Sequence, residues 1–419
     1  MRPRGERRHA SISAAIAFLA LTACGRSAVP PGGPFASDVA QLRQHSDVVV
    51  LADPAREPQV VVAPAYQGRV MTSTIGGADA PSFGWIGWTA VRSGQRQPHM
   101  NVFGGEDRFW LGPEGGQYGL YFKPGDPFDL DHWQVPEAID WGAWDVASRA
   151  PTSVTLRKRM TLTNHSGARF DIEVERAVRL LSDGDVTASL GEDPKFGVRA
   201  VAFESSNSVT NVGGAAWQPD SGLVSVWILG MFNPSPETTI ALPIAAGSDE
   251  ALGPAVNDAY FGKVPADRLA IKDSVVFFRG DGLHRGKIGV SPRRALPFAG
   301  SYDAAGHVLT LVQHTRSTAA HGYVNSMWEV QREPYNGDEV NSYNDGPPAP
   351  GKPPLGPFYE LETSSPALKL GPGERYTHLH RTFHIVGPEW ELDRFSRAAL
   401  SLRVSELAHA FRGSSTGSK

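Results

Sequence analysis

Segments at 48–51, 59–63, 69–75, 152–163, 170–181, 224–232, 273–279, 308–315, 358–364 and 376–385 are β-branched or alternate apolar with polar residues, and Gly, Pro, Asn or Asp clusters bound most of them. Many short strands with almost no helical periodicity between them call for packed antiparallel sheets, and so for an all-β fold. The 45 Gly and 33 Pro residues supply the turns such a fold needs. Only 391–411 has helical spacing, with Leu392, Phe395, Ala399 and Leu402 on one stripe. It is expected to pack on the sheets, a helix offered to a partner being the alternative. A short helix is expected over 37–45, and no internal repeat is visible. A net charge of −4 with 20% charged residues leaves no basic footprint for nucleic acid.

The N-terminal residues set a different constraint. Arg2, Arg4, Arg7 and Arg8 precede an apolar run over 12–21, and Leu21-Thr22-Ala23-Cys24 follows. A charged region, a short apolar run and small residues form the pattern of an export signal, and the run is too short to span a bilayer. The Leu-Thr-Ala-Cys stretch resembles the lipobox of bacterial lipoproteins, which implies lipidation at Cys24 after removal of residues 1–23. Cys24 is the only cysteine, so an intrachain disulfide and a cysteine nucleophile are excluded. Gly25 is not the Asp of an inner-membrane retention signal, which points to the outer membrane, on its periplasmic or surface side. The expected organisation is a signal over 1–23, a tether and short helix over 24–45, a β-sandwich over 46–388 and a C-terminal helix over 389–413. A monomer held at the membrane by its lipid is the expected state.

Chemically useful groups are densest between Tyr323 and His384. Trp328, Glu329, Asn341, Asn344 and Asp345 bring together aromatic, amide and carboxylate groups. Sugars call for that mixture, because hydroxyls need donors and acceptors while the C–H face of the ring needs an apolar plate. The bland alternative is that Asn and Asp make turns. A calcium loop fits poorly, since the acidic spacing is not that of an EF-hand. Alternation places Glu360 and Glu362 on one face of a strand, and His378, His380 and His384 on one face of the next. If both faces line one concavity, carboxylates and imidazoles converge for acid and base work.

Leu361-Glu362-Thr363, followed by Pro372-Gly373-Glu374-x-Tyr376 before a final strand, resembles the C-terminal signature of the galactose mutarotase (aldose 1-epimerase) superfamily. That resemblance implies a large two-sheet antiparallel β-sandwich and assigns the catalytic base to Glu362. The stretch from Gly104-Gly105 through Trp110 to Pro113-Glu114 resembles patterns of uncharacterised mutarotase-like families. It implies that Arg108 faces the sugar, with Trp110 and Glu114 beside it.

The departures matter as well. Where the epimerases carry an acid histidine, Asn164-His165-Ser166 continues into Gly167-Ala168-Arg169 and reads as a hairpin turn. The Pro-Asp-Ala element expected after Thr363 is missing. His314 and His380 are therefore the candidate proton partners of Glu362, with His378 as a substrate contact, although a solvated strand end is the alternative for His314. His-x-His on a strand is a zinc pattern, but hydrogen bonding to substrate is the simpler role, and no metal or other cofactor is expected. Nucleophilic-serine, phosphate-loop and dinucleotide signatures are absent. The expected function is binding or processing of a carbohydrate outside the cytoplasm, with non-catalytic glycan binding or an envelope structural role as alternatives.

Overall fold

A computed structural model describes residues 34–76, 80–317 and 321–412. The export signal and Cys24 lie outside the described residues. The hairpin Ser153–Thr163 and Arg169–Leu180 shows how alternation becomes structure. Leu156, Leu162, Phe170 and Val174 are buried, while the ion pairs Arg157–Glu175 and Arg159–Glu173 cross the strands on the exposed side. The turn expected at 164–167 closes this hairpin, with Asn164 N–H donating to the Ala168 carbonyl at 3.0 Å and Ala168 N–H donating to Asn164 Oδ1 at 2.9 Å. His165 is turned to the Asp126 carbonyl, 3.0 Å away.

That hairpin lies one strand in from an edge of a ten-stranded antiparallel sheet, the edge strand Asp145–Ala150 pairing with Ser153–Thr163. Beyond Arg169–Leu180 the order continues through Arg199–Asn211, Arg375–Val386, Val308–His314, Phe298–Asp303, Thr238–Pro243, Val275–Arg279 and Leu269–Lys272, while Asp145–Ala150 forms the other edge. A five-stranded sheet lies against its inner face, in the order Gly286–Val290, Val340–Asn344, Tyr359–Ser364, Ser225–Phe232 and Arg108–Gly112. Two-layer packing buries one face of each sheet. Three short strands, Val49–Ala52, Gln59–Ala63 and Arg69–Thr74, form a separate sheet.

The layer between the two main sheets is not uniformly apolar. One apolar cluster joins Val174, Val178 and Phe203 to Phe109, Leu111 and Ile228, and another joins Ile240 and Val312 to Tyr359 and Leu361. A polar seam occupies the same layer, built from Thr310, His314, Thr363, His378, His380 and His384, all buried. The C-terminal segment closes the outer face of the large sheet. Leu392, Phe395, Leu400 and Leu407 pack on Phe383, Ile385, Leu309 and Leu311 there. It forms two helices, Glu389–Leu400 and Val404–Ala408, rather than one. Ser401 interrupts them in the left-handed region at φ 60°, and the Arg403 N–H donates to Glu406 Oε2 at 2.7 Å to start the second. The expected short helix runs over Phe35–His45. Among the described residues no helix is long and apolar enough to cross a membrane.

Candidate functional site

Register decides which side chains share the outer face of the five-stranded sheet. Glu362 sits between Asn341 and Leu229, Glu360 between Tyr343 and Met231, Trp110 opposite Trp227 and Lys287 opposite Tyr343. Directly opposed residues of antiparallel strands point the same way. Arg108, Trp110, Trp227, Lys287, Tyr343, Glu360 and Glu362 therefore form one surface. Connecting segments that carry Glu114, Trp133, Phe261 and Trp328 cover it and leave a cavity of about 370 Å³. The volume falls within the ~300–1,000 Å³ typical of small-molecule sites.

Aromatic rings make its walls. Trp110 meets Trp227 edge-on at 5.7 Å, and Trp133 stacks on Trp328 at 6.0 Å. Two buried cations lie against these rings. The Arg108 guanidinium is 3.9 Å from the centre of Trp110, and Lys287 Nζ is 4.5 Å from that of Trp227. Each cation also holds a carboxylate: Arg108 Nη2 donates to Glu360 Oε1 at 3.0 Å, and Lys287 Nζ donates to Glu362 Oε2 at 2.9 Å. Trp227 Nε1 donates to the same Glu362 oxygen at 2.9 Å, and Trp133 Nε1 donates to Glu114 Oε1 at 2.8 Å.

Three carboxylates around two cations cannot all be comfortable as anions in a low-dielectric pocket. Burial, reinforced by the charge of Glu362 and opposed by Arg108, pushes Glu360 up to about 8. Burial also raises Glu114, against the pull of Lys287. Burial works against the Lys287 ammonium, yet Glu362, Glu114 and Glu360 together hold its pKa above the usual lysine value. At neutral pH the cavity therefore presents a protonated Glu360 beside a Glu362 clamped by Lys287 and Trp227. Among the described residues, several buried polar atoms here have no hydrogen-bond partner: Trp110 Nε1, Arg108 Nε and Glu362 Oε1.

Of the residues singled out in the sequence, Arg108, Trp110, Glu114, Trp328, Asp345 and Glu360 line this cavity. Glu362 lies behind the lining, fully enclosed at 0% exposure. Asn341 shares its face but is spent on Tyr260 and the Ile288 carbonyl. Asn344 points to the opposite face, where its Oδ1 accepts from the Gly282 N–H at 2.8 Å and fixes a turn. Glu329 is exposed on an irregular segment.

The histidines require a correction. His314, His378 and His380 do not face Glu362, because their strands belong to the large sheet and point into the layer beneath the small one. The residue that His378 and His380 meet is Thr363, the neighbour of Glu362 on the other face of its strand. Thr363 Oγ1 lies 2.9 Å from both His378 Nε2 and His380 Nδ1. A single hydroxyl donates to one ring and accepts from the other. Burial lowers His378 well below the usual histidine value and His380 to about 4, so both rings are neutral at pH 7. His314 is engaged by Glu339 at 2.8 Å. Among the described residues no group of three or more His, Cys, Asp or Glu side chains is placed to hold a metal ion.

Residues that the sequence did not single out complete the cavity. Lys287 comes from a five-residue strand, Gly286–Val290, whose only mark was one lysine among apolar neighbours. Trp227 and Leu229 alternate in an apolar run and gave no polar signal. Trp133, Phe261, Arg285 and His99 arrive on segments with no strand pattern.

A family model described as a family of unknown function, DUF6786, matches residues 33–411. No curated protein matches the chain in sequence. Among solved structures, a candidate aldose 1-epimerase from Escherichia coli K12 aligns at 14% identity and a TM-score of 0.49, covering 82% of this chain and 99% of that one. A galactose mutarotase-like protein from Lactobacillus casei aligns at 11% identity and a TM-score of 0.46, covering 81% of this chain and 100% of that one.

Proposed function

We propose that this chain, which belongs to the DUF6786 family, binds a carbohydrate in the cavity on the outer face of its five-stranded sheet and can exchange a proton with it. The observation that carries this reading is an aromatic wall of Trp110, Trp133, Trp227 and Trp328 combined with the charged side chains of Arg108, Lys287, Glu114 and Glu360 on the same lining. Donors and acceptors that line an apolar cavity suit a ligand with hydroxyls to offer. A sugar fits both demands, laying its C–H face on indole and its hydroxyls on donors and carboxylates.

The proton chemistry belongs to a pair rather than to one residue. Glu360 lines the cavity and carries a proton at neutral pH, so it is the group able to donate to a bound oxygen. Glu362, the base suggested by the mutarotase resemblance, acts from behind by setting the proton affinity of Glu360. Anomer interconversion and epimerisation are the reactions such a pair serves. A second reading, binding without turnover, is favoured by one observation: the complete enclosure of Glu362. We further assign the protein to the cell envelope, held at the outer membrane by lipid on Cys24. In this assignment Cys24→Ala moves it from the membrane to the soluble fraction.

Calorimetric titration of the full chain in detergent micelles with a panel of neutral monosaccharides tests the binding. Trp110→Ala is expected to weaken it at least tenfold, about 1.4 kcal/mol. Glu360→Gln is expected to keep affinity while abolishing anomer exchange followed by NMR. Absence of sugar binding, or affinity unaffected by Trp110→Ala, overturns the proposal. Binding without exchange in the unmodified chain selects the second reading.

A further inference from the structure

A second cleft adjoins the cavity. Its walls include Trp85, Trp88 and Gln97, and it shares His99, Met100, Val102 and Leu355 with the first. The two spaces thus meet along one ridge. Trp85 belongs to this junction, because its ring packs 4.8 Å from that of Phe358, which lines the first cavity. The backbone of Gly356 lies so close to Trp85 that a Cβ there would come within 2.1 Å of the indole, so the glycine is what lets the ring take this position.

The two clefts differ in charge. The first is lined by Arg108, Glu114, Lys287 and Glu360, whereas no residue lining the second carries a fixed charge, the Arg92 guanidinium lying over the Trp88 ring at 5.3 Å without lining the cleft. Indoles bordered by Thr89, Gln97 and His99 suit a neutral, hydroxyl-bearing ring. His99 stands where the two meet. Its Nδ1–H donates to the Trp133 carbonyl at 2.6 Å, since a carbonyl can only accept, and this leaves Nε2 as the nitrogen available to a ligand.

We infer that the ligand is an oligosaccharide of at least two units, with one unit in the charged cavity, a neutral unit on Trp85 and Trp88, and the linkage between them passing His99. This rests on the carbohydrate reading above. Binding energy from the remote unit would then hold the reacting unit in place.

The test is a calorimetric chain-length series on the full chain in detergent micelles. The probes are glucose, maltose and maltotriose; glucose, cellobiose and cellotriose; and N-acetylglucosamine with its β-1,4-linked dimer and trimer. In one series the dimer is expected to bind at least tenfold tighter than its monomer. Trp88→Ala should erase that advantage and leave monomer affinity unchanged. Thr89→Arg, at an exposed position on the same cleft, should do likewise without touching the core. A monomer that binds with no gain on lengthening overturns this inference and leaves the carbohydrate reading standing. Equal weakening of monomer and dimer by both variants also overturns it. Failure of every saccharide to bind removes both.

Discussion

The five-stranded sheet has a polar cluster on each face, and the two are built from similar residues to opposite ends. On the outer face Glu360 and Glu362 meet Arg108 and Lys287 beneath a cavity with aromatic walls. On the inner face Thr363 meets His378 and His380, and His384 Nε2 lies 2.9 Å from Glu106 Oε2, with the second sheet stacked on top. Adjacent residues of one strand, Glu362 and Thr363, belong to different regions because side chains alternate across a pleat. Both clusters keep buried polar atoms without a partner among the described residues, Trp110 Nε1 and Arg108 Nε outside and His378 Nδ1 and His380 Nε2 inside, but the outer one borders a cavity of about 370 Å³. The inner one uses neutral rings and a shared hydroxyl to join two sheets. The difference teaches that polar alternation marks a face that is not oily, while the next layer decides whether that face is a site or a seam.

Several substitutions would break or sharpen this contrast. The largest effect is expected from Lys287→Met, which leaves the Glu362 carboxylate buried without its cation. Removing one member of a buried pair costs roughly 3–5 kcal/mol. Denaturant unfolding should show that loss, and adding Glu362→Gln should recover much of it. Absence of recovery would mean that the pair is not the source of the effect.

The pH dependence of stability should split between the faces. Burial holds His380 at about 4, below its unfolded value near 6.5, so the unfolded chain binds more protons across that window. Stability should therefore fall as pH drops from 6.5 to 4, by up to ~3 kcal/mol from this residue. His380→Gln should make that limb shallower, the remainder coming from His378, which burial lowers in the same direction. Glu360 has the opposite sign. With a folded value of about 8 against a reference near 4.5, its contribution is full below 4.5 and is lost as pH rises through about 8. Glu360→Gln should make the second limb alone shallower, Glu114 being raised in the same direction, and an equal effect of either variant on both limbs would contradict the separation.

Thr363→Val removes the hydroxyl that serves two buried rings, at an expected cost of ~1–3 kcal/mol. It should leave sugar affinity unchanged, since it lies on the inner face. The smallest effect is expected from Glu329→Ala. That exposed side chain touches neither cluster, so unfolding should shift by less than about 0.5 kcal/mol and titration should show no change in affinity.

Much of this arrangement was legible before the structure. Alternation located Ser153–Thr163, Arg169–Leu180, Tyr359–Ser364 and Arg375–Val386, because each buries an apolar stripe or a clear polar one. Arg199–Asn211 was not located, although it is the longest strand. Its Glu204-Ser205-Ser206-Asn207-Ser208 run has the composition of a turn, yet Ser205 and Asn207 are buried against the polar seam. The same misreading joined the histidines to the site. Spacing showed that His378, His380 and His384 share a face and that Glu360 and Glu362 share another, but not that the five-stranded sheet itself lies between the two. Lys287 and Trp227 escaped notice because they reach Glu362 only through strand pairing, from 75 and 135 residues away in the chain.

The most direct test sets the two faces against each other in a single titration. Affinity for whichever panel sugar the unmodified protein binds should be measured in Trp110→Ala and in His380→Gln, with folding of both confirmed by circular dichroism. The outer-face assignment predicts at least a tenfold loss in Trp110→Ala and no change in His380→Gln. Retained affinity in the first variant together with loss in the second would place the site in the histidine seam and contradict the account.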